Sequence, residues 1–437
     1  MKTFRVSVDF EFCFSTFPLE LSEVCHEIQR LRLELGPLIV QCLLRKIEEH
    51  AVENDLSLLG AERKDYRRRS FETCLGKTNL RLLRVRPVAE KCRYAIKRYI
   101  TLPRSQYTAD SLESAVSLLP HMSYRRSSTE SKSLTGAGPT KSTLHRRVKE
   151  LATVLDKHPI NEARGYKYLF IDGTGVRLQD VVWKGDERVR IFEQGELRMV
   201  YASRDLKEPV EVIGRWLSSS SWEEIACETY KRIDARDIVQ LTTDGEEGIE
   251  NAFMRPWMRF QRCTTHAWRS VKQSLYLDGI EKKERIKIQE QLYAIPVFNY
   301  AVKENLESLK PEDRDTISEL LKKSESDLLE LKQAMEKKGY KKTAVYIENL
   351  SNPLLTFLRS WLKDGTYSPT TNNIPENRFS LFKNRVRSIG KRWSDGGVLR
   401  IVDLIINKTF PGYDWDTFWN QMFPLTNRVK GYILAVR

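Results

Sequence analysis

The chain has 437 residues, 41% hydrophobic and 30% charged, with 73 Lys and Arg against 59 Asp and Glu for a formal net charge of +14. Apolar content at that level excludes global disorder, the length calls for about two to four folded units, and no run of about 18 apolar residues occurs to span a membrane. The positive surplus favours a polyanionic partner, because phosphate neutralisation supplies most non-specific nucleic-acid affinity, although a merely basic soluble protein has the same composition.

The opening segment MKTFRVSVDFEF carries Asp9 and Glu11 where a secretory leader needs an apolar stretch, so no leader is expected. Residues 1–60 read as helical through LSEVCHEIQRLRLELGPLIVQCLLRKIEEHAV, and the basic cluster RKDYRRR follows at Arg63–Arg69. FETCLGKTNLRLLRVRP alternates around a Gly-Lys turn and predicts a small hairpin. Residues 108–157 predict two helices, TADSLESAVSLLP and KSTLHRRVKELATVL, around a Ser/Thr/Gly/Pro-rich loop, SSTESKSLTGAGPT. In the second helix Leu144, Val148 and Leu151 form the apolar stripe, with Lys141, Arg146, Arg147 and Lys149 elsewhere. That pattern suits the recognition helix of a helix-turn-helix, and equally a basic helix that only packs on its neighbour. Cys13, Cys25, Cys42, Cys74, Cys92, Cys227 and Cys263 are odd in number and form no Cys-x-x-Cys pair, which fits a reducing, cytoplasmic compartment.

The pattern changes at Gly165. YKYLFIDGTG is an apolar run ending in Asp-Gly and predicts a buried strand, and ERVRIFEQGELRMVYASR predicts a hairpin turning at Gln194-Gly195. SWEEIACETYKRI opens with a Ser cap and a Glu three positions on, the start of a helix. DIVQLTTDGEEG is a second apolar run ending in Asp-Gly, IENAFMRPW a helix, and QRCTTHAWRSVKQSLY a short strand and another helix. Three strands, a helix, a strand, a helix and a fifth strand is the element order of a ribonuclease-H-like α/β domain. Residues 280–365 are rich in Lys, Glu and Leu at helical spacing and predict an all-helical insertion. The expected layout is a helical region with a small hairpin at 1–100 and a helix-turn-helix-like region at 101–160. The catalytic domain follows at 161–279 and 370–410 around an insertion at 280–369, with a tail at 411–437.

Two-metal phosphoryl transfer needs at least three converging carboxylates, since the hard cation prefers oxygen and sits in a pair about 3.5–4 Å apart. Asp172 and Asp244 each read as the last residue of an apolar strand, and two such ends on adjacent parallel strands would set both acids on one sheet edge. A single Asp-Gly is also simply a good turn. The third acid is Glu376 in NNIPENRFSLFKNRVRSIGKRW, with Pro375 in the first turn and Phe379, Phe382, Val386 and Ile389 as the buried stripe. Ser380, Lys383 and Arg387 fall on the face of Glu376, although an ordinary amphipathic helix with Glu at its positive end reads the same. Cys263 and His266 would lack two partners as zinc ligands; a buried Cys with a hydrogen-bonded His, or a direct role for His266, remain. Glu246, Glu247 and Glu250 read as bystanders at a helix start.

FIDGTG at Asp172, TTDGEEGIENAF at Asp244, QRCTTHAWRSVK at Cys263 and His266, and NNIPENRFSLFKNRVRSIGKRW at Glu376 resemble the Mutator-type superfamily of DDE transposases, which includes bacterial and archaeal insertion-sequence enzymes. The order Asp, Asp, Cys-x-x-His, Glu is kept, with 72 positions between the aspartates (244−172) and 132 from the second to the Glu (376−244). The likeness spans residues 165–405, and Pro375 directly before the acid departs from the family's pattern. The resemblance implies a DNA transposase in which Asp172 and Asp244 hold two Mg²⁺ or Mn²⁺ ions and Glu376 completes the second site. Metal-bound water would cut at the element end, and the freed 3′-OH would attack target DNA. It also implies a structural or substrate-orienting role for Cys263 and His266 beside the active site.

On that reading Arg378, Lys383, Arg385, Arg387, Lys391 and Arg392 grip phosphates, joined by Lys141, Arg146 and Arg147 of the basic helix. The partners are double-stranded DNA, as terminal inverted repeats and as target, and further copies of the chain in a homodimer or larger assembly on DNA. The expected location is cytoplasmic and nucleoid-associated. Two other readings stand beside it: a ribonuclease-H-like nuclease or junction resolvase without a joining step, and a domesticated transposase that only binds DNA.

Overall fold

The computed structural model describes residues 4–8, 13, 20–88, 90–103, 105–155, 165–205, 210–298, 313–365, 368–372, 380–389, 392–410 and 414–422. The chain divides into two compact units, residues 1–154 with 415–437, and residues 155–414. Among the described residues no helix is long and apolar enough to cross a membrane.

In the first unit a 34-residue helix, α1 (Leu21–Asn54), lies along a three-stranded antiparallel sheet ordered β1 (Glu62–Thr73), β2 (Gly76–Arg86), β3 (Arg93–Tyr94). Residues 4–8 are not helical, so the helix is shorter than the segment 1–60 suggested. The core between helix and sheet is Ile47, Phe71, Leu80, Leu82 and Ile96. Buried Glu48 accepts the Leu83 N–H at 2.8 Å within it. The predicted hairpin forms, but it turns at Cys74-Leu75, just ahead of the Gly-Lys pair, and the RKDYRRR cluster lies inside β1.

Three helices follow: α2 (Ala109–Val116), α3 (Tyr124–Thr135) and α4 (Lys141–Leu155). The segment expected to be a loop is thus mostly α3. Its buried serines make the close approach: Ser127 Oγ donates to the Ala115 carbonyl at 2.5 Å and Ser128 Oγ to the Pro139 carbonyl at 2.8 Å. A Ser on a helix is costly only while its hydroxyl competes for its own backbone, and here each hydroxyl is satisfied by a neighbouring element. Gly136, in the left-handed region, ends α3, and only Gly136–Thr140 separates it from α4. The apolar stripe of α4 is buried as expected, at Leu144, Val148 and Leu151.

The second unit is mixed α/β. Its five-stranded sheet has the order β6 (Glu211–Leu217), β5 (Glu187–Ser203), β4 (Tyr168–Lys184), β7 (Gln240–Thr243), β8 (Arg259–Arg262). β5 runs antiparallel to both of its neighbours, β4 and β6, whereas β7 runs parallel to both β4 and β8. The hairpin predicted at Gln194-Gly195 is not there. β5 runs straight through those residues, and the turn lies at Gly185-Asp186, where Gly185 has φ +62°. Gly195 serves packing, because the Leu178 side chain fills the space its Cβ would need. The third strand is Glu211–Leu217, which the sequence pattern did not isolate.

One sheet face, carrying Leu169, Ile171, Val200, Ala202, Ile213 and Leu241, packs on α5 (Trp222–Arg232) and α6 (Ile249–Phe253). Ser221 and Glu224 form the predicted capping box of α5. The opposite face carries Phe170 and Tyr201, and meets Phe382, Phe410 and α12 (Asp395–Thr409). There Arg215 of β6 makes two hydrogen bonds to Asp403, at 2.5 and 2.7 Å.

Between the two groups lie α7 (Thr264–Leu277), α8 (Lys282–Ala294), α9 (Arg314–Lys337), α10 (Lys341–Leu354) and α11 (Thr356–Asp364). The described residues of 280–365 hold no strand. These helices share a core that includes Val271, Leu292, Leu328, Ile347 and Phe357. They close the outer edge of β8, where Gln261 bonds the Leu354 carbonyl at 3.0 Å and the Phe357 N–H at 2.9 Å.

Candidate active site

Asp172 is not at the end of its strand: it is the fifth residue of the 17-residue β4. It is instead the first residue past the pairing with β7, which runs from Tyr168↔Gln240 to Ile171↔Thr243. Asp244 is the first residue past β7 itself. Parallel pairing therefore sets the two acids level with each other on neighbouring strands. Alternation gives Ile171 and Thr243 to one face and Asp172 to the other, while Asp244 opens the loop beyond β7.

Asp172 is 3% exposed, on the face with Tyr201. Its Oδ1 accepts the Gly173 N–H at 2.9 Å, and the Lys383 ammonium stands 3.8 Å from its Oδ2. A carboxylate this buried is tolerated when a cation and donors surround it. Burial first, and then the charge of Asp172, push the Tyr201 phenol well above its ordinary range, so it stays protonated at any physiological pH.

The loop after β7 is held from both sides. Asp244 Oδ1 accepts the Glu246 N–H at 3.1 Å, and Thr243 Oγ1 accepts the Gly245 N–H at 2.7 Å. Gly245 has φ +80°, and a Cβ there would collide with the Arg262 guanidinium, which donates to the Gly245 carbonyl at 2.7 Å. The Gly of this Asp-Gly pair is therefore required for two separate reasons. Glu246 accepts from Arg198 at 2.8 Å and from the Trp222 indole at 3.1 Å, while Arg198 lies 4.1 Å over the Trp222 ring. Burial, and then the nearby Glu196, raise the Glu246 carboxyl above its usual range. Glu246 thus holds the loop that carries Asp244. Helix-start acids look alike in sequence, and only the pairing with Arg198 and Trp222 sets this one apart.

Cys263 and His266 lie directly behind this edge. Cys263 is fully buried at the head of α7, its N–H donating to the Thr243 carbonyl at 2.8 Å, and its Sγ is 3.2 Å from His266 Nδ1. The same sulfur accepts the Asn372 N–H at 3.3 Å, and Asn372 Nδ2 donates to the Ile171 carbonyl at 2.9 Å. Thr264 N–H bonds the Thr370 carbonyl, and Gln240 the Pro369 carbonyl at 2.8 Å. Residues 368–372 are in this way laced to β4, β7 and α7. Asn372, fully buried, was not singled out by any sequence signal.

Glu376, Arg378 and Lys391 lie outside the described residues, as do Pro375 and Phe379. Beyond them Phe382 and Val386 are buried as expected. The helix does not keep its period, however, because residues Asn384–Ile389 form a π-helix. Arg385, three residues after buried Phe382, is turned inward: it is 1% exposed, its guanidinium 4.9 Å from the Trp393 ring centre. The structure withdraws Arg385 from the DNA-facing set. Arg387 and Arg392 are exposed, Arg392 lying 4.2 Å over the Phe192 ring. In the first unit Lys141 and Arg146 are exposed, whereas Arg147 is ion-paired with Glu150 at 2.6 Å.

Two carboxylates at one sheet edge offer oxygen donors of the kind that suits a hard divalent cation. Among the described residues no group of three His, Cys, Asp or Glu side chains forms a metal site.

Comparison with protein-family descriptions and with curated protein sequences gave no match. Among solved structures, the chain is similar to the Drosophila P element transposase strand transfer complex at a TM-score of 0.27 and 13% identity, over 73% of this chain and 81% of that one. Values that low carry neither fold nor function from one chain to the other.

Proposed function

We propose that the chain is a DNA transposase whose cutting centre is the sheet edge at Asp172 and Asp244, completed by Glu376. The observation that carries this reading is the register Ile171↔Thr243, which leaves two acids side by side where β4 and β7 part. The strand order, three antiparallel strands followed by two parallel ones, is that of a ribonuclease-H-like sheet and supports the same reading. The chain on either side of Glu376 is anchored beside Asp172, through Asn372 to the Ile171 carbonyl and through Lys383 to Asp172 itself.

Asp172, Asp244 and Glu376 would hold Mg²⁺ or Mn²⁺, which supplies an activated water and stabilises the leaving oxygen in phosphoryl transfer. Arg198 and Trp222 fix Glu246, and through it the Asp244 loop. Arg262 fixes Gly245 from the other side. Cys263 and Asn372 hold the segment leading to Glu376 against β4. Lys383 offsets the charge of Asp172. Exposed Arg387 and Arg392 are left to meet phosphates.

The test uses the full chain and a duplex containing the DNA that flanks its reading frame, in Mg²⁺, Mn²⁺ or EDTA. Cutting in either metal but not in EDTA, followed by joining of a pre-cut 3′-OH end to a second duplex, is the expected result. Cutting without joining points to the nuclease reading. The absence of both cutting and joining overturns the proposal.

A further inference from the structure

Past Thr174 and Leu197, β4 and β5 leave the sheet together as a two-stranded ribbon, residues 175–184 paired with 187–196. β7 stops pairing at Ile171 and β6 at Leu197, so the ribbon reaches about 33 Å beyond the sheet at the usual rise per residue. Among the described residues it is supported at its base by Ser218, which bonds Glu196 at 2.8 and 3.0 Å, and further out by Trp393, whose backbone bonds Arg177 and Gln179 of β4 at 3.0 and 2.7 Å.

Alternation and the β4–β5 register sort its side chains sharply by charge. One face carries Arg177, Arg188 and Arg190 with Val181, Trp183 and Phe192, and no acid as far as Gln194. The other carries Asp180, Glu187 and Glu193, with Lys184 as its cation. On the basic face the apolar residues are open to solvent, Val181 at 52%, Trp183 at 62% and Phe192 at 53%. Both rings already carry guanidinium groups: Arg188 sits 4.8 Å over Trp183, and Arg392 4.2 Å over Phe192. The rings act as platforms that hold planar cations flat and pre-ordered on the ribbon surface.

We propose that this face of the ribbon is a contact surface for duplex DNA, separate from the Asp172–Asp244 edge. A two-stranded ribbon has the width of the major groove, and arginines on one face meet the phosphates lining it. The segregation of acids to the far face removes the repulsion that a randomly charged ribbon of nearly zero net charge would suffer.

The assay is fluorescence anisotropy of the full chain with a labelled 30-bp duplex of arbitrary sequence, in EDTA so that cutting chemistry plays no part, at several salt concentrations. Arg188→Ala/Arg190→Ala is expected to weaken binding about tenfold and to lower the slope of log affinity against log salt by about 2. Trp183→Ala, which removes the platform under Arg188, should weaken it less. Asp180→Asn/Glu193→Gln on the far face should leave affinity unchanged or improve it. The substituted ribbon residues are all exposed, so the circular dichroism of their variants should match that of the parent. Unchanged affinity and slope in Arg188→Ala/Arg190→Ala overturn the proposal, as does an equal loss from the far-face variant. A greater loss on single-stranded than on duplex probe also overturns it. So does a dimer, seen by sedimentation velocity without DNA, that Trp183→Ala dissolves while DNA affinity stays unchanged.

Discussion

Asn372→Ala separates positioning from stability at the proposed centre. The side chain is fully buried and donates to the Ile171 carbonyl at 2.9 Å, one residue before Asp172. Alanine forfeits that bond, worth about 1 kcal/mol net, and leaves a buried carbonyl short of a donor, at about 1–3 kcal/mol. The combined loss of roughly 2–4 kcal/mol should lower the melting temperature by about 4–16 °C for a unit of this size. The backbone N–H of Asn372 keeps its bond to the Cys263 sulfur, and Pro369 and Thr370 keep theirs, so the segment stays attached but loses its side-chain pin to β4. A misplacement of about 1 Å in a reacting group costs on the order of 10²-fold in rate. Single-turnover cutting by Asn372→Ala, measured at a temperature where the variant is folded, should therefore fall about that much, with DNA affinity unchanged. Urea unfolding gives the stability loss independently. A variant that loses the predicted stability yet cuts at the parental rate would refute the positioning role.

Gly245→Ala forces a side chain into φ +80° and against Arg262, so it should cost more than about 1 kcal/mol and slow cutting through the Asp244 loop, read by thermal melts and the same cutting assay. Arg385→Ala should lower stability by roughly 2–4 kcal/mol through lost packing under Trp393 while leaving the salt slope of DNA binding unchanged; a reduced slope would return Arg385 to the phosphate contacts. Glu48 has its carboxyl raised by burial, partly opposed by the Leu83 N–H, so the folded chain takes up this proton at a higher pH than the unfolded chain. The ionised form therefore costs stability above the folded value. That cost is relieved as pH falls through the folded value toward the ordinary glutamate range. Glu48→Gln, whose amide oxygen still accepts from Leu83, should stabilise the first unit at pH 7 and flatten its melting temperature across mildly acid pH; a destabilised variant at pH 7 would contradict this.

The two Asp-Gly pairs were legible because each acid breaks an apolar run, and the parallel register places them side by side. They are alike in sequence and different in cause. Gly245 takes a left-handed turn, whereas Gly173 stays in the strand, where Glu196 fills the space of a Cβ. The hairpin was misplaced because Gln194-Gly195 looks like a turn, while Gly195 is small to make room for Leu178. Reading β5 as two strands and missing Glu211–Leu217 were errors of opposite sign, so the strand count agreed although the strands did not. Helix α3 was hidden by its serines, whose hydroxyls bond carbonyls of other segments that no local window contains. Arg385 was assigned to phosphate by its charge, although it stands three residues after buried Phe382 and is itself buried against Trp393.

The central claim is that carboxylates at one sheet edge cut DNA and do not hold it. Asp172→Asn, Asp244→Asn and Glu376→Gln should be assayed together, each for metal-dependent cutting of the flanking-DNA duplex and for affinity to the same duplex in EDTA. The account predicts that each variant loses cutting in both Mg²⁺ and Mn²⁺, by on the order of 10³-fold or more, with affinity equal to or slightly above that of the parent. An Asp172→Asn or Asp244→Asn protein that cuts at close to the parental rate would contradict it.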